Sequence, residues 1–211
     1  MLNIAVLVSG GGTNLQALID AQVNSKIPGG KIALVISSRT DAHALERAAG
    51  ANIPTEVLLR KNYSGQQEYD EALLSILNRN RIDLIVLAGF MTIISENVIR
   101  HYENKIINVH PALIPSFCGE GYYGLKVHEA ALEKGVKVTG ATVHFVNEVC
   151  DGGPIILQKA VLVFPNDTPQ SLQRRVMEQA EWQLLPKAVS LFCQGRISVK
   201  NGRAYIQEDE V

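Results

Sequence analysis

Five short apolar runs separated by helical patterns limit what this chain can fold into more than any other feature. The runs are Ile4-Ala5-Val6-Leu7-Val8, Ile32-Ala33-Leu34-Val35-Ile36, Thr55-Glu56-Val57-Leu58, Leu84-Ile85-Val86-Leu87 and Ile106-Ile107-Asn108-Val109. Between them apolar residues recur at helical spacing: one helix carries Leu15, Leu18, Ile19 and Val23, another Tyr69, Leu73, Leu74 and Leu77. Strands that are apolar along their whole length have both faces buried, as in a parallel sheet covered by helices. The alternation predicts a doubly wound α/β fold, with a mostly parallel, Rossmann-like sheet and right-handed crossovers.

The pattern changes after His110. A glycine-rich loop is expected over Pro115–Gly124 and a short helix over Val127–Lys134. Two longer strands follow, Thr139–Val146 and Ile155–Val163, joined by the turn Asp151-Gly152-Gly153-Pro154. They predict an antiparallel or mixed C-terminal edge. The last long helix starts at Thr168-Pro169, with Leu172, Val176, Ala180, Leu184 and Ala188 as its buried stripe, and a hairpin is expected around Gly202.

With 211 residues, 46% of them hydrophobic, the chain suits one domain, 1–211, around one core. A net charge of −1 offers no basic excess for nucleic acid. The longest apolar runs, such as Leu84 to Phe90, are too short to span a bilayer. The start, Met1-Leu2-Asn3-Ile4, has no basic leader. Cys118, Cys150 and Cys193 lack paired metal-ligand spacing, and their odd number argues against a disulfide framework. A cytoplasmic monomer or homodimer acting on small molecules is expected, with no nucleic-acid or membrane partner.

In an open sheet of this kind, ligands sit beyond the carboxyl ends of the strands, where strand order reverses. Three features fall at such ends. The first strand runs into Ser9-Gly10-Gly11-Gly12-Thr13-Asn14 and then a helix. Glycines let backbone N–H groups approach an anion and the helix N-terminus adds positive potential, so this is a candidate phosphate cradle. The fourth ends in Gly89-Phe90-Met91-Thr92-Ile93-Ile94, where a flat ring could lie. The fifth ends in Asn108-Val109-His110-Pro111, and alternation puts Asn108 and His110 on one side. A donor beside an acid/base group suits a carbonyl about to become an oxyanion. Asp151 is the candidate acid partner of His110.

Each feature has a plainer reading. The glycine loop is not a dinucleotide fingerprint, because Leu15 replaces the third glycine, and not a Walker loop, because no Gly-Lys-Ser/Thr follows. Arg39 after the second strand keeps an NADP enzyme open, and a ligand-free tight turn is the bland alternative. A lone histidine is more often structural than catalytic, and an Asp-Gly aspartate ordinarily bonds its own turn. His144 reads as a satisfied core histidine, Cys118 and Cys150 as bystanders, and Glu181 as a solvated flank of the last helix. His128-Glu129 begins like a zinc-protease helix, but Leu132 replaces the second histidine, so no zinc site is expected.

Together, Ser9-Gly10-x-Gly12-x-Asn14-Leu15, Leu87-Ala88-Gly89-Phe90-Met91, Asn108-x-His110-Pro111 and Asp151-Gly152-Gly153-Pro154 resemble the phosphoribosylglycinamide formyltransferases, folate-dependent enzymes of purine synthesis. The resemblance runs from about Asn3 to Arg196. It implies transfer of a formyl group from the co-substrate 10-formyltetrahydrofolate to the primary amine of glycinamide ribonucleotide, without a metal. It assigns the substrate phosphate to Gly12, Thr13 and Asn14, and the ribose hydroxyls to Glu181. It places Met91, Thr92, Ile93, Ile94, Asn147, Glu148, Val149, Cys150 and Asp151 around the folate, with Gln66 and Asn108 beside it. Asn108, His110 and Asp151 match the catalytic trio. The chain would divide into a phosphate-binding half, about 1–105, and a folate and catalytic half, about 106–195.

The match has departures. The segment between Pro115 and His128 is longer than the shorter family version, and Thr92 stands where some relatives have arginine. Gln66 lies near where a basic residue contacts the folate. The spacing from Arg175-Val176 to Glu181 is one residue longer than usual.

The chemistry agrees with the resemblance. Amine attack on the formyl carbon builds charge on its oxygen, which Asn108 and a His110 kept protonated by Asp151 would meet. Each such donor is worth roughly 3–4 kcal/mol. Two other classes remain: a hydrolase or a different formyltransferase on the same site, and a nucleotide-binding module without catalysis. The hydrolase and the aminoacyl-tRNA formyltransferase are expected to carry a further domain, for which 211 residues leave no room.

Overall fold

The computed structural model describes residues 1–207. Strands β1 (Leu2–Val8), β2 (Gly30–Ser37), β3 (Thr55–Val57), β4 (Leu84–Leu87), β5 (Ile106–His110), β6 (Val138–Phe145) and β7 (Ile155–Leu162) form one sheet in the order β3-β2-β1-β4-β5-β6-β7. The first five are parallel to one another, while β6 pairs antiparallel with both β5 and β7. The expected doubly wound sheet with an antiparallel C-terminal edge is therefore present. A separate hairpin, β8 (Ile197–Lys200) with β9 (Arg203–Ile206), lies around Gly202 as expected.

Residues Ile4–Val8 of β1 are each 0% exposed, because alternate side chains enter two different cores. Ile4, Val6 and Val8 pack with Leu15 and Leu18 of α1 (Thr13–Val23) and with the stripe Leu172, Val176, Ala180, Leu184 and Ala188. Ala5 and Leu7 pack with Tyr69, Leu73 and Leu77 of α3 (Gln66–Arg79) and with Val98 and Ile99 of α4 (Glu96–His101). A shorter helix, α2 (His43–Gly50), packs beside α1. Val23, assigned to the buried face of α1, is instead 76% exposed: it is the helix's last residue and leads into exposed Asn24–Lys26.

The last helix is not one uninterrupted α-helix. It is built from α6 (Pro169–Val176), a π turn at Met177–Glu181 and α7 (Trp182–Cys193), with α5 (Leu125–Glu133) packed against α6. Thr168 and Ser171 cap its start reciprocally. The π turn takes up one residue beyond α-helical spacing, so the stripe stays on the core and Glu181 joins Ala180 on the inside. This accounts for the extra residue seen between Val176 and Glu181.

β1 lies between β2 and β4, and the crossovers reverse direction there, so the ends of β1, β4 and β5 open into one crevice. The β6–β7 turn reaches the same crevice. It needs a glycine at Gly153, where a Cβ would stand 1.8 Å from the Phe145 carbonyl oxygen. Gly153→Ala is expected to cost about 2–4 kcal/mol, lowering the thermal midpoint by roughly 5–15 °C in a melting experiment.

Candidate active site

Gly12 is the N-cap of α1, at φ +70, and a Cβ there would meet the Ala44 Cβ at 2.6 Å. Both the turn and the close approach of α2 require glycine. The loop is held from behind: Ala44 N donates to the Gly10 carbonyl at 3.0 Å and Arg47 Nε to the Gly11 carbonyl at 2.8 Å. Gln16 N donates to the Gly12 carbonyl at 2.9 Å, opening the helix. The first-turn N–H groups of α1 have no intrahelical acceptors and face the crevice end.

Asn14 and Glu181 meet beside this loop. Asn14 Nδ2 donates to Glu181 Oε2 at 2.6 Å, and both residues are buried. Burial pushes the Glu181 carboxyl up to about 7, with the Asn14 bond opposing it. Asn14 Oδ1 is buried without a partner among the described residues, so this pair offers an acceptor and a titratable carboxyl to a hydroxyl-bearing ligand. The reading of Glu181 as a solvated flank is thus replaced, because the π turn carries it inward.

At the end of β5, His110 Nε2 lies 2.7 Å from the Phe117 carbonyl. A carbonyl only accepts, so Nε2 carries the proton. His110 Nδ1 lies 3.4 Å from Asp151 Oδ2, with side-chain exposures of 5% and 10%. Asp151 is not spent on its own turn: its Oδ2 accepts from Gly119 N, in the long loop, at 2.9 Å. His144 Nδ1 donates to the Phe145 carbonyl at 2.8 Å, which leaves Nε2 to accept from Asn108 Nδ2 at 3.2 Å. That bond fixes the orientation of the Asn108 amide and leaves its second N–H for a ligand. His144 Nε2 is also 3.6 Å from Asp151 Oδ1.

Charge is distributed unevenly here. Burial alone would raise the Asp151 carboxyl, but the hydrogen bond from the Gly119 amide and the polar surroundings made by His144 and His110 hold it below the ordinary range. Burial lowers His110, and the attraction of Asp151 only partly offsets it. The direction that holds for the pair is an ionised Asp151 beside a neutral His110 at pH 7. The expectation that Asp151 keeps His110 protonated is corrected: desolvation of the imidazolium outweighs the charge attraction.

The structure brings Asn108, His110 and Asp151 together, and His144, buried and hydrogen-bonded as a core histidine should be, also stands against Asn108 and Asp151. The missing signal was register: antiparallel pairing sets His144 directly opposite Asn108. Cys118 and Cys150 flank the Gly119–Asp151 bond by one residue each, so they adjoin the site rather than lying apart from it. Met91 and Ile93 are exposed in the segment leaving β4, while Ile94 is buried. Gln66 does not point out as a free contact; its amide donates to Asp70 Oδ1 at 2.7 Å. Val149 of the Asn147–Asp151 turn is exposed, and Asn147 Oδ1 accepts from Val149 N. No cluster of metal-binding side chains occurs among the described residues.

A formyl transferase family model matches residues 2–189. The chain belongs to that family. The phosphoribosylglycinamide formyltransferase of Haemophilus influenzae is 45% identical over 206 residues, 98% of this chain and 94% of that protein. The human trifunctional purine biosynthetic protein adenosine-3 is 42% identical over 210 residues, 98% of this chain and 20% of that protein. A crystal structure of glycinamide ribonucleotide transformylase 1 from Symbiobacterium toebii matches with TM-score 0.92 and 41% identity, over 99% of this chain and 95% of that one. A formyltetrahydrofolate deformylase from Pseudomonas syringae has the same fold, with TM-score 0.88 at 24% identity over 98% of this chain and 66% of that one.

In this formyl transferase, the Glu181 carboxyl is raised from 4.5 to about 7. The folded state therefore holds its proton more tightly than the unfolded chain. The resulting stability is present in full below pH 4.5 and is lost as pH rises through about 7, on the order of 3 kcal/mol at most. Glu181→Gln is expected to remove that decline, so its melting temperature should gain on the parent's between pH 5 and 7 and the gap should level off above that. Parallel curves for the two proteins would refute the buried-acid assignment.

Proposed function

We propose that the chain is a phosphoribosylglycinamide formyltransferase, moving the formyl group of 10-formyltetrahydrofolate to the primary amine of phosphoribosylglycinamide in purine biosynthesis. The observation that carries this reading is the meeting of Asn108, His110 and Asp151 in one crevice with the glycine loop and the Asn14–Glu181 pair. On this reading Gly12, Thr13 and Asn14 hold the phosphate and Glu181 the ribose. Met91–Ile94 and Asn147–Asp151 flank the folate, with Gln66 acting through Asp70. Residues 1–211 form a single formyltransferase domain, with a phosphate-binding half over about 1–105 and a folate and catalytic half over about 106–195. The enzyme works in the cytoplasm on small molecules. No helix among the described residues is long and apolar enough to cross a membrane.

The amine attacks the formyl carbon directly. The free N–H of Asn108 donates to the oxygen as it becomes an oxyanion. His110 starts neutral, with its Nε2 proton engaged by Phe117, so Nδ1 accepts the proton that the attacking amine must lose. Asp151 stabilises the imidazolium at 3.4 Å, and that cation faces the oxyanion. Collapse of the tetrahedral intermediate breaks the bond from the formyl carbon to the folate nitrogen, which takes the proton back from His110. One proton leaves the amine and one reaches the departing nitrogen, so neither a covalent enzyme intermediate nor a net proton change is needed.

His110→Ala and Asp151→Asn are each expected to lower kcat at least about 100-fold while the ribonucleotide KM stays within about 3-fold. Loss of formyl-folate, followed by absorbance, is expected only when the ribonucleotide amine is present. Rapid loss without it would favour the hydrolase reading, and unchanged turnover in either variant would remove the mechanism.

A further inference from the structure

We propose that Ser9 is a positioning residue for the folate segment Met91–Ile94, not for the phosphate loop in which it lies. The inference rests on the reading of Met91–Ile94 as folate-binding.

Ser9 is 5% exposed at the end of β1. Its Oγ accepts from Met91 N at 2.8 Å, a bond spanning 82 residues, and lies 2.6 Å from Ser38 Oγ. One hydroxyl thus ties together the chain leaving β2, β1 and β4, at the point where strand order reverses. The backbone supports the same junction: Ser38 N donates to the Val8 carbonyl at 3.0 Å and Ala88 N to the Leu7 carbonyl at 2.9 Å. Beyond Met91 the segment is held by Ile94, buried in the core with Tyr69 and Leu73, and at its far end, where Ser95 Oγ donates to Asp70 and Asp70 accepts from Gln66. Between these anchors Ile93 is 85% exposed, so the bond to Ser9 sets where the exposed apolar surface begins.

The phosphate loop does not use this hydroxyl. Its carbonyls at Gly10 and Gly11 are held by Ala44 N and Arg47 Nε of α2, and Gly12 opens α1. Removing the Ser9 oxygen leaves those bonds in place and orphans the Met91 N–H, whose desolvation then opposes the segment's position. The consequence is specific: a change inside the glycine-loop motif weakens the folate, while a change in α2 weakens the ribonucleotide.

The test is a steady-state comparison of full-length variants with both substrates. Ser9→Ala is expected to raise the KM for 10-formyltetrahydrofolate about 5–10-fold, with the ribonucleotide KM within 2-fold and kcat within about 3-fold. Ser9→Cys, which keeps the volume but weakens the acceptor, is expected to shift the folate KM in the same direction by less. Arg47→Met is expected to give the reverse pattern. A rise in the ribonucleotide KM with the folate KM unchanged, or no change in either, for Ser9→Ala overturns the proposal. Ile94→Ala separates the two ideas. If it raises the folate KM while Ser9→Ala does not, the Ser9 proposal alone fails. If Ile94→Ala leaves the folate KM unchanged, the assignment of the segment fails and the proposal with it.

Discussion

The carboxylate of Asp151 is the constraint on which the rest of the site depends. It is nearly buried, and an ionised carboxylate in that position is tolerable only with donors around it. The Gly119 amide in the long loop donates to it, and the imidazoles of His110 on β5 and His144 on β6 stand 3.4 and 3.6 Å from its oxygens, so three separate segments surround it. Meeting that need draws the loop over the crevice and fixes the end of the β6–β7 turn. The same need explains why Gly153 must be glycine, since the turn can deliver Asp151 only by running against the Phe145 carbonyl.

A second layer holds His110 in place. His110 pairs with Thr142 and Thr142 with Gln158, a row across three strands. The buried Thr142 hydroxyl donates to the Ala112 carbonyl and accepts from Ile114 N, while Gln158 Nε2 donates to Thr142 and to the Ile114 carbonyl. The chain that leaves His110 is therefore pinned by side chains of the antiparallel edge. This gives β6 and β7 a role beyond closing the sheet, and it places the precision of the site on strands rather than on the loop.

Much of this was legible in the residues. The strands at Leu84 and Ile106, the glycine loop, the switch in pattern after His110 and the buried stripe at Leu172 follow from periodicity and turn chemistry, which are local. What escaped was set by contacts between distant segments. His144 is the satisfied core histidine its strand position implies, but its place opposite Asn108 is a matter of antiparallel register. Glu181 looked solvated because α-helical spacing turns it away from the core, and only the π turn brings it back. The charge state of His110 depends on how deeply packing between distant segments buries the imidazole, a cost that its pairing with Asp151 only partly offsets.

The site contains two buried carboxyls that their surroundings drive in opposite directions. Asp151 has the Gly119 N–H and two imidazoles around it and stays ionised, whereas Glu181 has one amide and is raised to about 7. Groups separated in this way can divide the work of one reaction. On the proposed mechanism a fixed negative charge is wanted where an imidazolium forms and disappears in each turnover, and Asp151 would supply it beside Nδ1. On the same reading a carboxyl near half-protonation is wanted where a neutral polyol would bind, because it can donate or accept without placing a full charge beside a substrate phosphate. Exchanging the two environments would put an obligate anion next to the phosphate and a neutral acid next to the imidazolium, losing both effects. The contrast follows from how deeply each carboxyl is buried and which polar groups surround it, which the β6–β7 turn and the π turn decide.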